Sequence, residues 1–207
     1  MEQLALLRAI ADSGGGWVIW LLVVSSFLSV GVIVERLLVL KRQARYQASV
    51  LPAIEDQLGR REPDEVLRRL KAGSVLSEVG RDLEARAPNG REAMLESLES
   101  QLALQRRRLE KRLLILGTLG NNAPFIGLLG TVLGVIHAFQ DLSVSGGHGS
   151  AAVMAGLAEA LVATAVGILV ALPCVAAYNY VEKGIDDVIE DARRFGKRLA
   201  WALGEEH

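Results

Sequence analysis

The stretch AAVMAGLAEALVATAVGILVALPCVAAYNYV, residues 151–181, carries one formally charged side chain, Glu159. From Ala160 to Val181 there is none, a run of 22 residues. At roughly 1.5 Å per residue such a helix is about 33 Å long, enough to cross a hydrocarbon core. A carboxylate costs about 2.5–3.5 kcal/mol at the centre of a membrane helix and less near an end, so residues of this kind face protein or water. Around Glu159 the residues are small: Gly156, Ala160, Ala163, Thr164, Gly167 and Ala171. Small residues let helix backbones approach closely, and threonine hydroxyls bond without adding charge. The pattern predicts a packed, pore-lining helix over 153–181, kinked at Pro173, rather than one bathed in lipid.

Upstream lies a glycine-rich segment without Lys or Arg, DLSVSGGHGS, read as part of a short loop over 141–152. Before it, residues 113–140 carry no formal charge, which predicts a second span, long enough to tilt or protrude. Pro124 predicts a kink there. Gly127, Gly130 and Gly134 make a smooth face, and Gly130 with Gly134 is a GxxxG pair enclosing Thr131. Residues 13–34 form another uncharged run, too long for a typical signal-peptide core, and are read as a retained first span with Trp17 and Trp20 at its interface. Residues 1–12 read as a short N-terminal segment.

Residues 35–112 are of different composition. They hold 17 of the 23 Lys and Arg against 13 Asp and Glu. Apolar residues recur at helical spacing, Pro63 suits a first helical turn, Gly73 a stop, and Asn89 an N-cap. From Met94 through Leu98, Leu102 and Leu109 to Leu113 the stripe predicts one helix running unbroken into the second span. The block reads as a helical domain that extends the membrane helices. Residues 182–207 read as a charged C-terminal helix. The Lys and Arg asymmetry puts 35–112 and 182–207 in the cytoplasm, and the N-terminus and the 141–152 loop on the outside. The fold class is therefore all-α, with three transmembrane helices.

The whole chain of 207 residues has a formal net charge of −1, so nothing points to nucleic acid. Its single cysteine, Cys174, lies in an apolar run and allows no intrachain disulfide. There is no HExxH, CxxC, GxSxG or P-loop, so no metal, cofactor or enzymatic chemistry is expected. Glu159 has two readings, a proton-binding carboxyl inside a membrane protein or a helix-end carboxylate that complements the N-terminal dipole. Thr131 and Thr164 either line a pore or bond their own i−4 carbonyls. Glu159 and Thr164 are five apart, about 140° around a helix, so they do not stack on one face. His137 either relays protons or holds structure by hydrogen bonding. His148 and His207 lie in segments read as flexible.

NAPFIGLLGTVLGVIHAF (122–139) and GLAEALVATAVGILVALPCVAAYNYV (156–181) closely resemble the ExbB/TolQ family, which is related to the MotA flagellar stators. The Glu35-Arg36 pair after the first span and the three-span layout also fit. His137-Ala138-Phe139 and Ala177-Tyr178-Asn179 look more like TolQ than ExbB. The resemblance implies a pentameric proton-channel subunit of the bacterial inner membrane, surrounding the single membrane helix of an ExbD- or TolR-like partner whose aspartate carries the proton. The force would pass to a TonB- or TolA-like protein, for outer-membrane import, envelope maintenance or gliding. The family's functional glutamate falls on Glu159 and its pore threonines on Thr131 and Thr164. The uncharged hydroxyls imply that this chain conducts protons poorly without its partner. Two other functions fit the residues: a scaffold that holds a partner helix and moves no ion, and a secondary transporter that exchanges protons at Glu159.

Overall fold

The computed structural model describes residues 15–59, 62–144 and 150–204. The regular elements among them are all helical: α1 (Gly16–Gly59), α2 (Pro63–Arg69), α3 (Val75–Arg86), a 3-10 turn (Ala87–Asn89), α4 (Arg91–Glu110), α5 (Leu113–Val144) and α6 (Ser150–Gly204). Three segments, Gly16–Leu58, Leu113–Val144 and Val153–Gly204, are long and apolar enough to cross a membrane. Their most apolar windows have mean hydropathies of 2.4, 1.5 and 2.4. The second segment carries Asn121, Asn122, Thr131 and several glycines among its Leu, Val and Ile. The segment read as 1–12, the start of the first apolar run, and His148 and His207 lie outside the described residues.

The chain divides into two compact units, one of residues 1–34 with 112–178, the other of 35–111 with 179–207. In the first, Val18 and Leu22 of α1 meet Leu116, Ala123 and Leu133 of α5 and Val170, Ala171 and Cys174 of α6 in one buried cluster. Its outer surface is apolar too. Trp20, Phe27, Phe125 and Leu169 are each at least two-thirds exposed, a surface that suits lipid or a protein neighbour rather than water.

The second unit is built as a soluble bundle is. Leu76, Leu83, Met94, Leu98, Leu102, Ile185 and Leu199 are almost fully buried, and burying each such side chain contributes about 1.5–3 kcal/mol. Ser74 caps α3 by accepting a hydrogen bond from the Ser77 amide at 3.2 Å. Pro63 opens α2 as expected. Gly73 lies beyond the end of α2, in a turn where its φ of 77° suits glycine. The α4 N-cap is Gly90 rather than Asn89: Asn89 closes the 3-10 turn, and the chain then needs the φ of 87° that Gly90 supplies.

The expected unbroken helix from residue 90 into the second span is corrected. The chain breaks at Lys111 (φ −51°, ψ 130°) and Arg112 (φ 69°), separating α4 from α5. In a continuous helix the Leu109 carbonyl would accept from the amide of residue 113. Instead it accepts from Arg36 Nη1 at 3.4 Å. Arg36 is buried and ion-paired to Glu35 at 2.6 Å. A guanidinium at a helix C-terminus satisfies a freed carbonyl and complements the dipole. The leucine stripe continues across the break although the backbone does not. At the prolines the assignment is uninterrupted, since α5 contains Pro124 and α6 contains Pro173. The expected loop at 141–152 shortens from both sides, because α5 runs to Val144 and α6 begins at Ser150.

Candidate functional site

Helices α5 and α6 pack through a seam almost without side chains. A methyl group built at Gly127 would lie 2.6 Å from the Ala163 carbonyl oxygen, and one at Gly167 equally close to the Ala123 carbonyl oxygen. One at Gly134 would lie 2.7 Å from the Ala160 methyl, and one at Gly156 would lie 3.0 Å from that of Ala138. Gly130 differs: it faces Ala163 on α6 and also Val18 on α1, so it seats the first span. The partner number falls along α6 as the residue number rises along α5, so the pair is antiparallel in fixed register. Gly127, Gly130, Gly134, Gly156, Ala160 and Gly167 all lie along this seam.

One rung of this seam is polar. The Thr131 and Thr164 hydroxyls hydrogen-bond each other across it. Thr131 Oγ1 also lies 3.1 Å from the Ala160 carbonyl and 3.3 Å from its own i−4 carbonyl, Gly127. A hydroxyl has one proton and two lone pairs. Both contacts are satisfied in sequence if Thr164 donates to Thr131 and Thr131 donates to the shorter of its carbonyl partners. Ala160 is the residue whose carbonyl Thr164 itself would take at i−4. Thr131 thus reaches its own i−4 carbonyl as well as one of the facing helix, and Thr164 is engaged by the Thr131 hydroxyl. Both remain partly accessible.

Glu159 precedes Ala160 and points away from this rung, as the five-residue spacing to Thr164 requires. It is exposed and lines a cavity of about 430 Å³ in the same unit, together with Gly15, Gly134, His137, Asp141 and Gly156. His137 Nδ1 lies 3.2 Å from Asp141 Oδ2, an i,i+4 pair on α5. Glycines at 15, 134 and 156 leave the space that side chains would otherwise fill. The structure thus joins Thr131 with Thr164, and His137 with Glu159, in two adjoining groups rather than one.

Asp141 was assigned to the loop by sequence, and its place in the cavity follows from the extra turn of α5. The available signal was its spacing of four from His137. The Ala160 carbonyl is a second component that no side-chain pattern reveals.

Residues 68–194 match the MotA/TolQ/ExbB proton channel family. The chain is 50% identical over 78 residues to an ExbB-like biopolymer transport protein of Helicobacter pylori, covering 36% of this chain and 52% of that protein. It is 39% identical over 101 residues to the biopolymer transport protein ExbB of Aquifex aeolicus, covering 49% and 68%. It is 37% identical over 112 residues to the Tol-Pal system protein TolQ of Haemophilus influenzae, covering 52% and 49%. The chain spans about half the length of the Helicobacter and Haemophilus relatives. With more than half its length matched, across both helices of the seam, this chain belongs to the MotA/TolQ/ExbB proton channel family.

Proposed function

We propose that this chain is the channel subunit of a proton-driven motor in a bacterial inner membrane. Copies of it form a ring, a pentamer, around the single membrane helix of an ExbD- or TolR-like partner, and the partner's aspartate carries the proton. The N-terminus faces the periplasm, and residues 35–112 and 182–207 face the cytoplasm. Proton flow moves the ring against the partner, and the work reaches a TonB- or TolA-like envelope protein.

The observation that carries this reading is the polar rung in the seam. In a seam of glycine and alanine, two hydroxyls bond each other and end on the Ala160 carbonyl, while Glu159, on a different face of the same helix, lines the adjoining cavity. Hydroxyls accept and donate at once, which proton transfer needs. Family membership supports the same reading, and the smooth faces favour close-packed copies. A closed ring is the usual outcome for identical subunits.

Proton flux into liposomes tests it. Flux is expected from this chain reconstituted with its single-span partner, little from the chain alone, and little from the pair carrying Glu159→Ala or Thr164→Val. Wild-type flux in both variants would leave a scaffold. Exchange stimulated by a small substrate would indicate a secondary transporter. Replacing sodium by potassium without loss of flux assigns the ion as the proton.

A further inference from the structure

The cavity holds a group that the threonine rung does not use. Among the described residues, the ionisable side chains lining it besides Glu159 are His137 and Asp141, and these two are paired. Gly15 and, from the start of α1, Gly16 and Ile19 also line it. Among the described residues, the charged groups facing the imidazole are therefore Asp141 on its own helix and Glu159 across the cavity. The His137 and Asp141 side chains are 43% and 61% exposed, so water reaches both.

We propose that this cavity is a proton-collecting vestibule in which the His137–Asp141 pair takes up protons from water and delivers them to Glu159. Asp141 Oδ2 lies 3.2 Å from Nδ1, which places a carboxylate where it stabilises the imidazolium once the ring takes up a proton. A hydronium-derived proton binds Nε2, and the imidazolium is held by the Asp141 carboxylate. Nε2 then returns the proton to a cavity water, which passes one of its own to the Glu159 carboxylate. Each transfer moves one proton and restores the neutral imidazole. Imidazole suits this step because its two ring nitrogens are distinct, one able to take up and give back a proton while the other faces a carboxylate. The glycines that line the cavity keep open the space that a water relay requires.

This inference rests on the proton-channel reading, and the experiment separates the two. The complex purified through this chain is reconstituted in liposomes with a pH-sensitive dye inside, and flux is driven by a potassium-diffusion potential. Flux is expected to fall about tenfold or more in both His137→Ala and His137→Gln, as loss of a positioned proton carrier does. Imidazole added to the outside is expected to restore flux in His137→Ala above the background read from Glu159→Gln vesicles. A residue that only held structure would not be rescued. Wild-type flux in both histidine variants overturns the vestibule and leaves the channel intact. So does a loss in His137→Ala that imidazole does not restore while the complex keeps its size. If His137→Ala does not assemble, His137→Gln decides: its flux is expected to lose the wild-type response to outside pH, and an unchanged response overturns the proposal. A wild-type complex that moves no protons overturns both readings.

Discussion

Thr131 and Thr164 are the residues on which structure and proposed activity meet. Replacing either by valine keeps the volume and removes a hydroxyl. Interhelical hydrogen bonds in membranes average about 0.6 kcal/mol and reach about 1.7 kcal/mol, so Thr131→Val is expected to lower stability by no more than about 2 kcal/mol in a denaturant titration in detergent while greatly reducing flux. Thr131→Ser keeps the hydroxyl and is expected to retain most flux. A stability loss matched by no flux loss would make the rung structural only. Arg36 makes another defined contact. It serves the Leu109 carbonyl from a buried position, and removing the partner of a buried polar group costs about 1–3 kcal/mol. Arg36→Ala is expected to lower the melting temperature of the second unit, whereas Glu35→Gln, which loses an ion pair of intermediate exposure, has a smaller effect. The sequence makes Thr131, Thr164 and Glu159 visible because they are polar residues in apolar runs. Asp141 was hidden because it follows the uncharged run 113–140 and reads as loop.

At the scale of the helix, the seam between α5 and α6 is the sensitive feature. A Cβ at Gly127 or Gly167 meets a backbone carbonyl that cannot step aside. Gly127→Ala and Gly167→Ala are expected to cost about 1–3 kcal/mol, as overpacking does, and Gly16→Ala nothing by clash, since no atom lies within 4 Å of a Cβ there. Denaturation midpoints of the three variants check this. The seam was legible from spacing alone, since a glycine face at intervals of three and four needs no partner to be recognised. The break at Lys111–Arg112 was not legible. Neither residue is a helix breaker, and a left-handed arginine costs roughly 1–2 kcal/mol. The carbonyl that the break frees is met by Arg36, more than seventy positions away, and a local pattern does not report a remote cap.

At the scale of the whole molecule, the second unit owes its stability to its buried leucines and little to its many ion pairs. Arg106 lies 2.7 Å from Asp186 and 2.6 Å from Glu110, and Arg193 lies 3.0 Å from Glu99. Both guanidinium groups are held above their ordinary range, Arg106 chiefly by its hydrogen bond to Glu110 and Arg193 chiefly by that to Glu99. A raised folded-state pKa gives stability that is present below the unfolded value and lost only as pH rises through the folded one. For arginine that window lies far into alkali. These two shifts therefore predict no change in stability between pH 6 and 9 from the arginines. Leu98→Ala, at a site 1% exposed, is expected to cost about 2–5 kcal/mol, against under about 1 kcal/mol for Glu99→Gln. Calorimetry of the two variants ranks packing against charge. The helical class and the three apolar spans were legible because hydrophobic runs and their lengths are written locally. The division into two units depends on which distant segments of α1 and α6 each pack together, and no single stretch carries that.

The lone polar rung has a consequence for how the chain is made. Helices that enter a bilayer one after another must find their alignment afterwards, and a surface of glycine and alanine offers little friction to sliding. A slip of one residue between α5 and α6 would part Thr131 from Thr164 and leave two hydroxyls facing apolar neighbours. The threonine pair is thus a detent in an otherwise smooth track, much as one buried polar residue sets the alignment of a coiled coil. Whatever it does for protons, it tells two nearly featureless helices where to stop.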